Sequence, residues 1–239
     1  NVYNVIIGRV YSSTQLGYYT KSLQLRNLPA YSITTSVAKV SYPVLCKLQD
    51  DPDSFRAGFK KIIKNSSFLT FPMMIGLAVV AGPLIQVLFG DNWVPMVPYF
   101  QILCLSGMIF PHHALNLSIL KVKGRSDLFL GVDIVNIFIG LISIGIVVAL
   151  NLGIYGLLWI TFINSIIAFF ITTYYSKEFI SYSTKEQIRD MLPFGTISIL
   201  MGMIVYISGL MMPFHNAVKL PIQMGIGVIA YIAIRKLAR

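Results

Sequence analysis

Charge is what this sequence has least of. Only 12% of its 239 residues are Asp, Glu, Lys or Arg, about half the roughly 25% of an ordinary soluble domain. That shortfall excludes a conventional water-facing surface and points to a polytopic membrane protein. Cysteine is almost missing too. Cys46 and Cys104 both fall inside or at the edge of apolar segments, so a structural disulfide or a metal site is disfavoured and small buried hydrophobes are expected. Histidine is sparse, and two of the three are adjacent, His112 and His113. Neighbours on a helix point about 100° apart and cannot ligate one metal in the i, i+4 manner. They are read as helix contacts beside Pro111, with a proton relay left open. No serine, cysteine or carboxylate cluster answers them, so no catalytic residue and no cofactor is assigned. No short-period repeat and no signal peptide is visible. The chain starts with Asn1 rather than Met, which reads as a piece of something longer.

What the sequence has is hydrocarbon. Hydrophobic residues make up 56% and the mean hydropathy is +0.73. The stretch from Phe68 to Leu88 carries no charge, nor does Val94 to Leu120. Each is long enough to cross a bilayer core of roughly 30 Å as a helix. Phe89-Gly-Asp-Asn-Trp93 between them is a turn, with the tryptophan where an aromatic belt residue would sit. The pair is a transmembrane hairpin. Around it the expected organisation is 1–48, two polar cavity-lining helices broken near Pro29; 49–66, a cytoplasmic interfacial segment; 67–176, a four-helix core; 177–190, a cytoplasmic linker; and 191–239, a final pair of spans with a basic tail. Asp51 and Pro52 have the chemistry of a helix start. Phe55, Phe59 and Ile62 with Arg56, Lys60, Lys61 and Lys64 suit a helix lying on anionic headgroups, or else a solvated charged loop. The total is about eight transmembrane helices in an all-α integral membrane fold.

The net charge of +10 would suggest nucleic acid on a soluble protein. Here the distribution decides otherwise. With the C-terminus cytoplasmic, one side collects fourteen of the nineteen basic residues, in 47–64, 121–125, 177–189 and the terminal cluster. Lys21, Arg26 and Lys219 fall on the other side. That matches the positive-inside rule, and no nucleic-acid partner is expected.

Three charges are left in the membrane. Lys39 reads as central in its helix, where a lone cation costs roughly 2.5–3.5 kcal/mol on insertion scales. Arg9 is similar, and Asp133 shares a polar and small face with Asn136, Gly140 and Ser143. Two readings stand. In one, Lys39 and Arg9 bind an anionic substrate group and Asp133 is a counter-ion or coupling carboxylate. In the other, they form internal ion pairs or a polar seam between helices. Pro72 and Pro83 interrupt the third span and Gly76 and Gly82 soften it, so that it either bends between states or carries a static kink.

Leu16-Gly-Tyr-Tyr-Thr-Lys-Ser22, Val40-Ser-Tyr-Pro-Val44, Leu48-Gln-Asp-Asp51, Phe71-Pro-Met-Met-Ile-Gly76 and Pro83-Leu-Ile-Gln-Val-Leu-Phe-Gly90, followed by Trp93 and Gly124-Arg125, carry a likeness in their order and spacing. The chain resembles the C-terminal half of a Wzx-type polysaccharide flippase of the O-antigen and colanic acid kind, in the multidrug/oligosaccharidyl-lipid/polysaccharide exporter superfamily. The resemblance implies a MATE-like helical lobe, half of a two-lobe transporter working by alternating access. The implied substrate is undecaprenyl-diphosphate-linked oligosaccharide, moved from the cytoplasmic to the periplasmic leaflet of the bacterial inner membrane. Implied partners are that lipid, the bilayer, an N-terminal lobe absent from this chain, and glycan polymerase machinery. One lobe cannot enclose a cavity, so the 239 residues alone should not transport. The alternatives are a drug or cation antiporter of the same superfamily, which would favour acidic cavity residues, and a membrane-embedded enzyme.

Overall fold

The structure is a computed structural model that describes Gly8 and residues 10–237. The described residues fold into eight α-helices and one 3-10 turn: α1 (Ser13–Leu48), α2 (Pro52–Val79), α3 (Ala81–Phe89), the turn Asp91–Met96, α4 (Val97–Val122), α5 (Ser126–Ala149), α6 (Gly153–Ile180), α7 (Thr184–Met211) and α8 (Asn216–Leu237). Six helical segments are long and apolar enough to cross a membrane: α2, α4 with its leading turn, α5, α6, α7 and α8. The all-α lobe expected from the sequence is therefore present.

Two boundaries differ from expectation. Pro29 does not divide the first polar region, and α1 runs through it and through Pro43 as one helix of 36 residues, about 54 Å long. A proline removes one backbone donor, and membrane helices tolerate this where neighbours and hydroxyl side chains satisfy the freed groups. Here Ala30 and Arg26 on either side of Pro29 are buried, so packing holds the helix through the defect. Ser12 starts α1 with a reciprocal capping box to Gln15, which satisfies two of the orphan donors at the helix start.

The second difference lies in α2. Asp51 caps it as expected, accepting from the Asp53 and Ser54 amides at 3.1 and 3.3 Å, with Pro52 at the first position. The helix then continues through Ser66 into the apolar span instead of turning into a separate interfacial piece. Phe55, Phe59 and Ile63 are fully buried, so its basic end is clamped between α1, α4 and α7. The break comes at Val80, three residues before Pro83. The Gln101 amide donates to the Ala78 carbonyl there at 3.0 Å. Gly90, at φ +84°, stops α3 in a conformation that suits glycine.

The central strut is α4, which packs against α1, α2 and α6, while α8 sits at an edge on α7 and α3. One end of the bundle gathers the basic loops. Lys123 Nζ donates to the Gln49 carbonyl at 2.7 Å, Arg56 pairs with Glu186 at 2.8 Å, and Lys60 and Lys64 both reach Asp190 at 3.1 Å. Tyr182 adds its phenol to Asp190 at 2.8 Å. Burial pushes that phenol's pKa up, and the neighbouring carboxylate pushes the same way.

Candidate functional site

The inner face of α1 repeats at helical spacing: Tyr19, Ser22, Arg26, Ala30, Thr34, Ser41 and Leu45 are buried. The opposite face carries Lys21, Gln24, Leu28, Tyr31, Thr35, Lys39 and Tyr42, three or four residues apart, and is open for most of its length. Consecutive members lie about one turn apart, so they form a single stripe. Its hydroxyls are partly committed locally, Ser32 to the Leu28 carbonyl at 2.6 Å and Thr35 to the Tyr31 carbonyl at 2.8 Å. Near the end away from the basic loops the stripe deepens into a groove of about 590 Å³ lined by Lys21, Gln24, Asn27, Tyr31, Ser32 and Phe89. A polar stripe on a helix of a membrane bundle must face protein or water rather than lipid.

Lys39 belongs to this stripe. It is exposed and makes no ion pair among the described residues. Because α1 is continuous, Lys39 is not central in its helix. It lies nine residues, about 14 Å, from the basic end of α1, where Leu48 packs on Gly58. Arg9 lies outside the described residues.

The cation at mid-depth is Arg26. The sequence reading set it in a loop because Pro29 looked like a helix break. The structure places it inside the lobe, only 8% exposed. Its Cδ and Cγ fill a notch at Gly107, 3.0 and 3.2 Å from where a β-carbon would stand, beside Met74. Among the described residues its Nε has no hydrogen-bond partner, and neither has the buried Ser22 hydroxyl one turn before it. No carboxylate lies within salt-bridge distance of Arg26 among the described residues. The signal for it was present in the sequence: the buried face of α1 keeps its period straight across Pro29.

Asp133 is exposed on α5 without an ion pair among the described residues. Its neighbours on that face turn toward α6. Ser143 donates to the Asn164 carboxamide oxygen at 3.0 Å, while the amide nitrogens of Asn136 and Asn164 are buried without a partner among the described residues. His113 donates to the Ala168 carbonyl at 3.3 Å. Lys39 and Asp133 thus occupy separate parts of the lobe, on α1 and α5, helices between which no substantial contact is made.

The other histidine is structural. His112 is fully buried, donating from Nδ1 to the Met108 carbonyl at 3.0 Å, with Nε2 2.8 Å from the Ser67 hydroxyl. One turn on, Asn116 exchanges amide hydrogen bonds with Gln187 at 2.9 and 3.0 Å and accepts from Ser176 at 2.7 Å. These contacts tie α2, α4, α6 and α7 into one body. Cys46 and Cys104 are both free.

Residues 1–98 match the family described as "Polysaccharide biosynthesis protein". The chain is 26% identical to the lipopolysaccharide biosynthesis protein WzxC of Escherichia coli K12 over 198 residues, 81% of this chain and 40% of that protein. It is 31% identical to the teichuronic acid biosynthesis protein TuaB of Bacillus subtilis over 128 residues, 54% of this chain and 26% of that one. Among solved structures it is similar to the lipid II flippase MurJ in an inward closed conformation. The TM-score is 0.71 at 20% identity, over 96% of this chain and 49% of that one. The chain therefore spans less than half the length of the relatives it matches. The family match and the relatives bear out the resemblance to Wzx-type proteins of polysaccharide biosynthesis, and the solved structure bears out the fold.

Proposed function

We propose that this chain is the C-terminal lobe of a flippase that moves undecaprenyl-diphosphate-linked oligosaccharide from the cytoplasmic to the periplasmic leaflet of a bacterial inner membrane by alternating access. The observation that carries the reading is the open stripe of α1. A membrane helix that leaves Lys21, Gln24, Tyr31, Thr35 and Lys39 unburied by its own lobe has room for a second lobe and a watery space between. Within that space Lys39 supplies positive charge for a diphosphate or acidic sugars, since Coulomb attraction strengthens as the surroundings become less polar; Arg9, outside the described residues, is kept as the second candidate from the sequence. Arg26 adds a third cation on the buried face of α1, opposite the stripe, and with no carboxylate in salt-bridge distance among the described residues it acts on a passing anion through its field, not by contact. Asp133, beside the seam of Asn136, Ser143 and Asn164, is the candidate coupling carboxylate.

The relatives' printed names, WzxC and TuaB in polysaccharide biosynthesis, support the substrate class. An antiporter for cations is disfavoured by the stripe itself, which carries two lysines and no acid.

The test is complementation of a flippase-deficient strain by the full-length protein carrying Lys39→Ala, Arg9→Ala or both, read as surface-glycan display at matched expression. Display should fall severalfold in each single variant and further in the double. Undiminished display in all three removes the cationic docking role.

A further inference from the structure

An apolar groove of about 370 Å³ lies between α2 and α8, floored by Met201 and Val205 of α7. We infer that it holds one acyl chain of an anionic phospholipid whose phosphate is bound by Arg235. This goes beyond the flippase reading and does not depend on it.

Three observations carry the assignment. The first is the groove's length. Along α2 and its C-cap its lining runs from Phe68 to Val80, twelve residues or about 18 Å at helical rise, close to the roughly 15 Å depth of one hydrocarbon leaflet. Gln223, 3% exposed and donating to the Val205 carbonyl at 3.2 Å, puts a polar amide at the far end, where a hydrocarbon chain should stop.

The second is the charge at the other end. Arg235 lies over the Phe68 ring, its guanidinium carbon 4.0 Å from the centroid. It makes no ion pair or hydrogen bond among the described residues. Tyr231 fixes the platform beneath it, its hydroxyl donating to the Phe68 carbonyl at 3.1 Å and its ring 5.4 Å from that of Phe68. The Asp190 carboxylate at the same basic end is already taken by Lys60 and Lys64. A planar guanidinium stacked on a ring keeps its N–H fork for a phosphate.

The third is direction. α8 begins at the end away from the basic loops, where Asn216 hydrogen-bonds Gln86 of α3, and returns toward them to end beyond Arg235. Arg235 therefore faces the leaflet on the basic side, which in bacteria is the side that basic pockets between helices use to hold anionic headgroups. The groove walls are open, with Met73 44%, Val228 61% and Ile232 49% exposed, as a lipid-facing site requires.

The experiment is native mass spectrometry of the full-length protein released from nanodiscs of equal parts phosphatidylglycerol and phosphatidylcholine. Wild type should keep phosphatidylglycerol in preference to phosphatidylcholine. Arg235→Gln should lower that retention about fivefold, Arg235→Lys, which keeps the charge and loses the planar fork, should restore it only in part, and Val228→Trp, which crowds the groove without touching Arg235, should also lower it. The neighbouring exposed Lys236→Gln should leave it unchanged, and inorganic phosphate should not strip the lipid. Equal retention of both lipids, undiminished retention in Arg235→Gln or in Val228→Trp, an equal loss in Lys236→Gln, displacement by phosphate alone, or a polyprenyl phosphate held in the phospholipid's place would each overturn the assignment.

Discussion

Replacing Arg26 by methionine should make the protein more stable and less active. The guanidinium sits 8% exposed at mid-depth, its Nε unpartnered and with no carboxylate in reach among the described residues. A basic residue near the centre of a membrane helix costs roughly 2.5–3.5 kcal/mol on insertion scales, and a buried charge without a partner is a net liability to folding. Methionine keeps most of the stem that fills the Gly107 notch and adapts to irregular gaps. Allowing for the part of the penalty already relieved by relaxation and water, Arg26→Met should gain about 1–2 kcal/mol. The assay pairs a thermal or denaturant transition of the detergent-purified full-length protein with surface-glycan display in cells. Raised stability with display lost means the charge is kept for function at the fold's expense. A loss of more than about 1 kcal/mol in Arg26→Met, with display intact, would refute the reasoning, because it would mean that the guanidinium has an internal partner that stabilises it.

Further outcomes follow from the same contacts. In a double-mutant cycle, Asn116→Ala and Gln187→Ala should show a coupling of about 1–2 kcal/mol, since intramembrane side-chain hydrogen bonds each contribute roughly 0.6–1.7 kcal/mol; the check is the denaturant midpoint of the four proteins. Gly202→Leu should destabilise by about 1–3 kcal/mol, because a β-carbon there already stands 2.8 Å from Ile75 on α2; a thermal melt reads it. The Asp51 carboxylate sits below the usual range because the Ser54 side chain and the Ser54 and Asp53 amides bond it. Its cap therefore stabilises α2 fully above the ordinary aspartate pKa of about 3.9 and loses that contribution as pH falls through the lowered native value. Amide exchange in the first turn of α2, corrected for intrinsic pH dependence, should rise there in wild type and not in Asp51→Ala.

The apolar parts of the fold were legible because long uncharged runs have few other solutions. The hairpin around Phe89–Trp93, the basic turn at 121–125 and the helix start at Asp51 all stand where hydropathy and turn chemistry put them. What sequence patterning missed turns on proline and on tertiary support. Pro29 looked like a terminator because the local rule counts the lost donor. It does not count the burial of Arg26 and Ala30, which carries the helix through. That one boundary moved Arg26 from a loop to the interior and Lys39 from the centre of a helix toward its end. The network of Asn116, Gln187 and Ser176 joins residues up to 71 apart in sequence, and no local period signals it. Arg235 read only as part of a basic tail, because its position over Phe68 depends on how α8 returns along α2.

The account stands or falls on whether the open face of α1 meets water in the membrane. The direct measurement is a single-cysteine scan of α1 in the full-length protein in cells, with Cys46 and Cys104 replaced, using a membrane-impermeant thiol reagent on intact and on permeabilised cells. Cysteines at Gln24, Tyr31, Thr35 and Lys39 should label, with those at Ala30, Thr34 and Ser41 protected, so that reactivity repeats every three to four residues. Protection along the whole stripe, or labelling that ignores that period, would contradict a water-filled cavity against α1.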